Sequence, residues 1–336
     1  MDEKKQMRNL SIKLFKRRQI LKGIFGFTVS GFCVFQLRDN LDPILLLSFI
    51  KETDKFFLSA SIIFMILGLI IRAIRWKLFI RITGNDASIR VVGPAFLISI
   101  MLNNFFPFRL GDVVRTSYYG KKFSNSLGKS IIIILIEKAL DFTILIGIIV
   151  IVSFSFYFPE VKEFYIGGRF RKFELVGSFI ILAIAIVVFL KRRLVFHKFR
   201  SIRLVIKNAN VEFSTHKLSI LALSIVAWVF ETLVYYFAIH ATGVTFKIED
   251  AILLTAVVTL STSIPSSPGY IGTFHLVFIQ VATFLNYNSS WSVDASVLVH
   301  LVLWLVSSAL GVFFLIFEQV SKFQCFKRKA RHEEEL

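Results

Sequence analysis

Long uninterrupted apolar runs, separated by short basic stretches, set the pattern of this chain. They cover residues 23–37, 56–74, 91–106, 130–157, 177–190, 218–241, 251–264, 273–286 and 292–317. A strand of an outer-membrane barrel alternates apolar and polar positions, whereas these runs are continuous. The pattern therefore predicts an all-α polytopic membrane protein, with about six full spans of roughly 20 residues each. Several runs fall short of that length; 91–106 holds only 16 residues and ends in Asn-Asn-Phe-Phe-Pro. These short runs predict two re-entrant helical hairpins beside the full spans. Three regions follow: a basic segment 1–22, an integral membrane domain 23–317 and a charged tail 318–336.

The most polar break lies at 102–122. Asn103, Asn104, Pro107, Arg109, Gly111, Asp112 and Arg115 follow one another directly after an apolar helix. A charge at the bilayer centre costs about 2.5–3.5 kcal/mol on insertion scales, so such residues face protein or water and mark a pathway. The spacing Asn103-xxx-Pro107-xxx-Gly111 is repeated in Ser261-xxx-Pro265-xxx-Gly269. Paired, Gly/Pro-interrupted apolar segments point to a midplane substrate site in transporters.

Charge then chooses the topology. If 91–106 and 251–286 each dip in and return, one side of the membrane holds 31 Lys and Arg and the other holds 8. The basic side is cytoplasmic by the positive-inside rule, which puts both termini there. A single crossing by 91–106 would move the eight-charge loop 191–217 outside. Two depths stay open for 107–122, a dip into the membrane or a helix on its surface.

Composition adds little that the pattern lacks. The chain is 55% hydrophobic, with a mean hydropathy of +0.70 and a net charge of +18. Because the charges sit in short loops between apolar runs, they read as topology signals and no nucleic-acid partner is expected. Cys33 and Cys325 are too far apart in sequence to indicate a disulfide framework. His240, His275 and His300 are scattered without metal-ligand spacing, and no G-x-S-x-G motif occurs. No metal, cofactor or catalytic residue is predicted. The loops are too short for a soluble catalytic domain, so transferase activity is expected only with a partner.

Arg109 and Arg115 flank Asp112 at three residues on either side, and one carboxylate cannot satisfy two arginines. The planar arginine fork suits phosphate, which makes an anionic lipid headgroup a sensible ligand for Arg109 and Arg115 beside Asn103 and Asn104. The competing reading is two ordinary topology charges. Glu137 and Asp141 lie at i and i+4 on one helix face, with Lys138 between them. Glu137 sits roughly 10 Å into its helix at 1.5 Å per residue, so a partner is expected, Arg109 or Arg115. Glu231 is about 20 Å into another. Each of these charges is either a coupling group or a structural ion pair. Ser261, Ser263, Ser266 and Ser267 read as partners for backbone groups freed by the prolines.

At these motifs the chain resembles the flippase-like, lysylphosphatidylglycerol synthase transmembrane-domain family. That family shows P-x-R-x-G-[DE]-x-x-R, matched by Pro107, Arg109, Gly111, Asp112 and Arg115. Its E-[KR]-x-x-D is matched by Glu137, Lys138 and Asp141, and its S-x-P-x-x-P-G-x-x-G by Ser263, Pro265, Pro268, Gly269 and Gly272. His275 stands where many members carry an acidic residue, so the resemblance assigns no proton or cation role there. The soluble aminoacyl-transferring domain of full-length synthases is not seen. The resemblance implies a lipid-handling module of the cell membrane that binds, and translocates, an anionic phospholipid or lipid-linked intermediate. Two alternatives stay open: the membrane half of an aminoacyl-phospholipid synthase working with a separate soluble transferase, and a scaffold for envelope lipid synthesis. The expected partners are membrane lipids, and the oligomeric state is open.

Overall fold

The computed structural model describes residue 28 and residues 52–82, 84–106, 109–119, 127–157, 213–263 and 267–334. Among them every regular element is helical: α1 (Lys55–Arg81), α2 (Ile89–Phe105), α3 (Leu110–Val114), α4 (Leu127–Val152), α5 (Phe213–His240), α6 (Ile248–Ser261), α7 (Thr273–Phe284) and α8 (Ser289–Glu334). A π turn (Arg115–Tyr119) follows α3, and a 3-10 turn (Pro268–Tyr270) precedes α7. Apart from residue 28, the apolar runs 23–37 and 177–190 lie outside the described residues, as do Pro107 and Pro265.

Among the described residues, three stretches are long and apolar enough to cross a membrane, Lys55–Arg81, His216–His240 and Ser289–Gln319. α4 is as long as these at 26 residues, but Lys129, Glu137, Lys138 and Asp141 interrupt its apolar surface. α2, α6 and α7 hold 17, 14 and 12 residues. At 1.5 Å per residue they reach about 26, 21 and 18 Å, less than a hydrocarbon core of about 30 Å. α8 passes through the expected boundary at 317 without a break and carries the charged tail as helix to Glu334.

α1 and α5 form the central pair. Asp54 caps α1 by accepting from the Phe56 amide at 2.7 Å, and its own N–H donates to the Ala241 carbonyl at 2.8 Å. That bond ties the start of α1 to the end of α5 and sets their antiparallel register. Along the seam Ser61 donates to the Val234 carbonyl at 2.9 Å, and the Phe64 and Phe237 rings stack at 5.3 Å. α8 packs on α2 through Asn104, whose Nδ2 donates to Ser307 and Ser308 at 2.9 Å each.

α3 returns along α2, and Gly111 makes that return possible. A Cβ built on Gly111 would lie 1.7 Å from the Ser99 carbonyl oxygen, a distance no side chain tolerates. α6 and α7 pack on each other around the 3-10 turn. Gly269 at φ 68° and Gly272 at φ 90° give the turn a left-handed backbone that glycine adopts without steric cost.

Two contacts outside the long helices secure the ends. The Arg81 guanidinium donates to Asp86 at 2.9 Å and holds that carboxyl below its ordinary range. Tyr287 donates to Asp250 at 2.6 Å; burial, and then that bond, push the phenol above its usual value.

Candidate functional site

Four elements bring charge to one place, and a fifth adds hydroxyls. α1 offers Arg72 and Arg75, three residues apart and so on one face. α3 and its π turn offer Asp112 and Arg115, with Arg109 just ahead at φ 52° in the left-handed region. α4 presents Glu137, Lys138 and Asp141, α5 presents Glu231, and the end of α6 presents Thr259 and Thr262. Together they line a cavity of about 630 Å³, closed on other sides by Phe96, Trp228 and Tyr270.

An ion-pair chain runs through the wall. Asp112 meets Arg115 at 3.3 Å, Arg115 meets Glu137 at 3.1 Å, and Glu137 meets Arg75 at 3.5 Å. Arg75 then grips Asp141 with both terminal nitrogens, at 2.6 and 3.0 Å, and donates to Ser224 at 3.0 Å. Arg75 and Arg115 are each 2% exposed, and Glu137 is 5% exposed. Such burial is tolerable only because each charge has opposite charge and hydrogen bonds beside it. Arg115 also lies over the Trp76 and Phe96 rings at 5.1 and 5.5 Å. Nearby, Arg72 pairs with Glu231 and sits 4.9 Å above Trp228, while Thr259 donates to Glu231 at 3.2 Å.

The two broken segments touch. Arg109 Nη2 donates to the Thr262 carbonyl at 3.1 Å, and a Cβ on Gly269 would lie 3.4 Å from the Asn104 carbonyl. Asn103 binds Asp112 twice, accepting from its amide at 3.3 Å and donating to its carboxylate at 3.4 Å. Asn103 therefore positions the return of α3 while lining the cavity. Asn104 does not line it; its side chain points to α8. Pro268 starts the 3-10 turn and Gly272 precedes α7, so both shape the segment without facing the cavity. Ser261 and Ser267 donate to the backbone carbonyls of Val258 and Ile271.

Sequence reasoning missed Arg72 and Arg75, which lie at the end of the apolar run 56–74 and just beyond it. The apolar residues Trp76, Phe79 and Ile80 beyond them carried the signal, since all three are buried as α1 continues to Arg81. Missed as well were the unpartnered donors of the wall. Arg75 Nε, Arg115 Nε and the Trp228 indole N–H are buried without a hydrogen-bond acceptor.

Long apolar helices around a charged cavity define an integral membrane protein. The chain belongs to the family described as the lysylphosphatidylglycerol synthase TM region, whose sequence profile matches residues 23–311. A comparison with individual curated proteins gives no match. The family is one of membrane lipid metabolism or translocation, and lipid is accordingly what this protein interacts with.

Proposed function

We propose that the protein binds an anionic lipid headgroup in the charged cavity and carries that lipid between leaflets. The observation that carries this reading is the charge balance of the wall. Five cationic side chains face four carboxylates, and Arg109 and Lys138 form no ion pair among the described residues. Arg72, Arg75 and Arg115 are held by carboxylates and act as the frame. Arg109 and Lys138 are the cations left to meet a phosphate. Arg115, Asp112, Glu137, Asp141 and Glu231 set the local field, and Asn103 holds the segment that bears Arg109. The short helices α2, α6 and α7 support re-entrant hairpins at 91–122 and 251–286, and the uneven split of Lys and Arg supports cytoplasmic termini.

Translocation of fluorescent anionic lipid by the purified chain in liposomes tests the reading, and no acceleration over empty liposomes refutes it. Arg109→Lys keeps the charge but loses the bidentate fork. It is expected to cost about 1.5 kcal/mol of headgroup binding, roughly tenfold in apparent affinity. Unchanged translocation by the Arg109→Lys, Lys138→Met double variant would remove both residues from the site. The hairpin is checked separately. Lys77→Cys and Lys122→Cys, each as the single accessible cysteine, should both resist an impermeant maleimide in intact cells. Labelling of one alone places the two loops on opposite sides and ends the first hairpin.

The family description favours a second reading, the membrane half of an aminoacyl-phospholipid synthase. Formation of aminoacyl-phospholipid only when a soluble transferase is added would support it.

A further inference from the structure

A second cavity, of about 670 Å³, lies where α1, α2 and α8 meet, and it shares no lining residue with the charged one. α1 and α2 stand between the two. On α1, Arg72 and Arg75 face the charged cavity while Leu69 and Ala73 face this one, where both are buried. Ile70, Ile89 and Phe317 also line it and are exposed, so it opens sideways as a groove toward whatever surrounds the helices.

The groove has an apolar length and a charged end. α2 and α8 run antiparallel beside it. Asn104 bonds Ser307 and Ser308, and a Cβ on Gly311 would lie 2.8 Å from the Leu97 carbonyl. Seven residues back along α2 from Leu97 stands Arg90, and seven on along α8 from Gly311 stands Glu318. Both therefore reach the same end, about 10 Å from the Leu97–Gly311 contact at 1.5 Å per residue. Among the described residues they are the only charged side chains that line the groove. Arg90 forms no ion pair among the described residues. Pro94 on the groove wall has no N–H, so the Arg90 carbonyl loses its helical donor. At Gly93 a Cβ would meet nothing within 4 Å, so the space beside that backbone belongs to the groove.

We propose that this groove holds one zwitterionic glycerophospholipid, with an acyl chain along α2, its phosphate at Arg90 and its ammonium at Glu318. An unfilled gap in a protein wall forfeits dispersion contacts, and lipid tails are the apolar matter around a membrane helix. Tail contacts alone do not choose among lipids, because phospholipids bring similar chains. The choice falls to the charged end, where one cation and one carboxylate match a headgroup carrying one charge of each sign. A headgroup of net negative charge would gain at Arg90 and be repelled by Glu318. A carboxylate accepts several donors, so the ammonium joins the contacts that Glu318 already makes. This lipid is a fixed companion of the fold, and its site stands whether or not the charged cavity carries cargo.

Native mass spectrometry of the full chain tests this, in micelles offered equal phosphatidylethanolamine and phosphatidylglycerol. The wild type should retain one phosphatidylethanolamine that Gly93→Phe, with a ring in the open space, does not. Arg90→Gln, at an exposed position, should weaken its retention about fivefold. Phosphatidylglycerol held in the charged cavity should be retained equally by wild type and Gly93→Phe, which keeps the two sites apart. Four results overturn the inference. They are no retained phosphatidylethanolamine, equal retention by Gly93→Phe, unchanged retention by Arg90→Gln, and release of phosphatidylglycerol in its place. If Gly93→Phe abolishes a dimer and releases no lipid, a second copy of the chain fills the groove and the inference is likewise wrong.

Discussion

Gly111→Ala is expected to abolish the folded site, at a cost of about 3 kcal/mol or more, the upper end of the range for overpacking. The added methyl would stand 1.7 Å from the Ser99 oxygen, 2.6 Å from its carbonyl carbon and 2.8 Å from Asn103 Oδ1. Two of those atoms are backbone of α2 and cannot rotate aside, so α3 must lift off α2. Asp112 then leaves Asn103, and Arg115 leaves Glu137. Gly93→Ala supplies the control within the same neighbouring helix, because a Cβ there meets nothing within 4 Å. That change should be neutral or stabilising by about 0.5–1 kcal/mol, the ordinary helix preference for alanine over glycine. Thermal unfolding of both variants in detergent, followed by size-exclusion recovery, separates them. An unchanged melting temperature in Gly111→Ala would mean that α3 does not lie against α2.

Much of the helical framework is readable from the sequence because uninterrupted apolar runs admit little else in a membrane. The gathering of charge is readable too. Residues 109–115, 137–141 and 231 are expensive in hydrocarbon, and their costs fall only if they meet. What cannot be read is which way a residue points on a helix that is apolar all round, since no polar stripe reveals its inner face. Asn103 and Asn104 illustrate this: adjacent in sequence, one faces the cavity and the other faces α8. Arg72 and Arg75 were hidden for a different reason. Basic residues at the end of an apolar run normally mark the membrane surface, and only the burial of Trp76, Phe79 and Ile80 shows that α1 continues past them.

Glu137→Ala is expected to destabilise the protein by about 3–5 kcal/mol, the cost of leaving buried charge without its partner. Among the described residues Glu137 is the one carboxylate that touches two arginines, Arg75 at 3.5 Å and Arg115 at 3.1 Å. The two arginines do not lose equally. Arg75 keeps its bidentate grip on Asp141, whereas Arg115 retains one carboxylate, Asp112 at 3.3 Å, beside the Trp76 and Phe96 rings. The destabilisation should therefore come chiefly through Arg115. Removing that charge as well, in Glu137→Ala with Arg115→Gln, should restore stability relative to the sum of the single changes, with a coupling of about 1–3 kcal/mol. Arg75→Gln in place of Arg115→Gln should restore less, because it strands Asp141 in turn. Melting temperatures of the three single and two double variants complete the two cycles. Strict additivity in the Arg115 cycle would show that Glu137 and Arg115 do not hold each other, and that α3 is docked by its Gly111 and Asn103 contacts with α2.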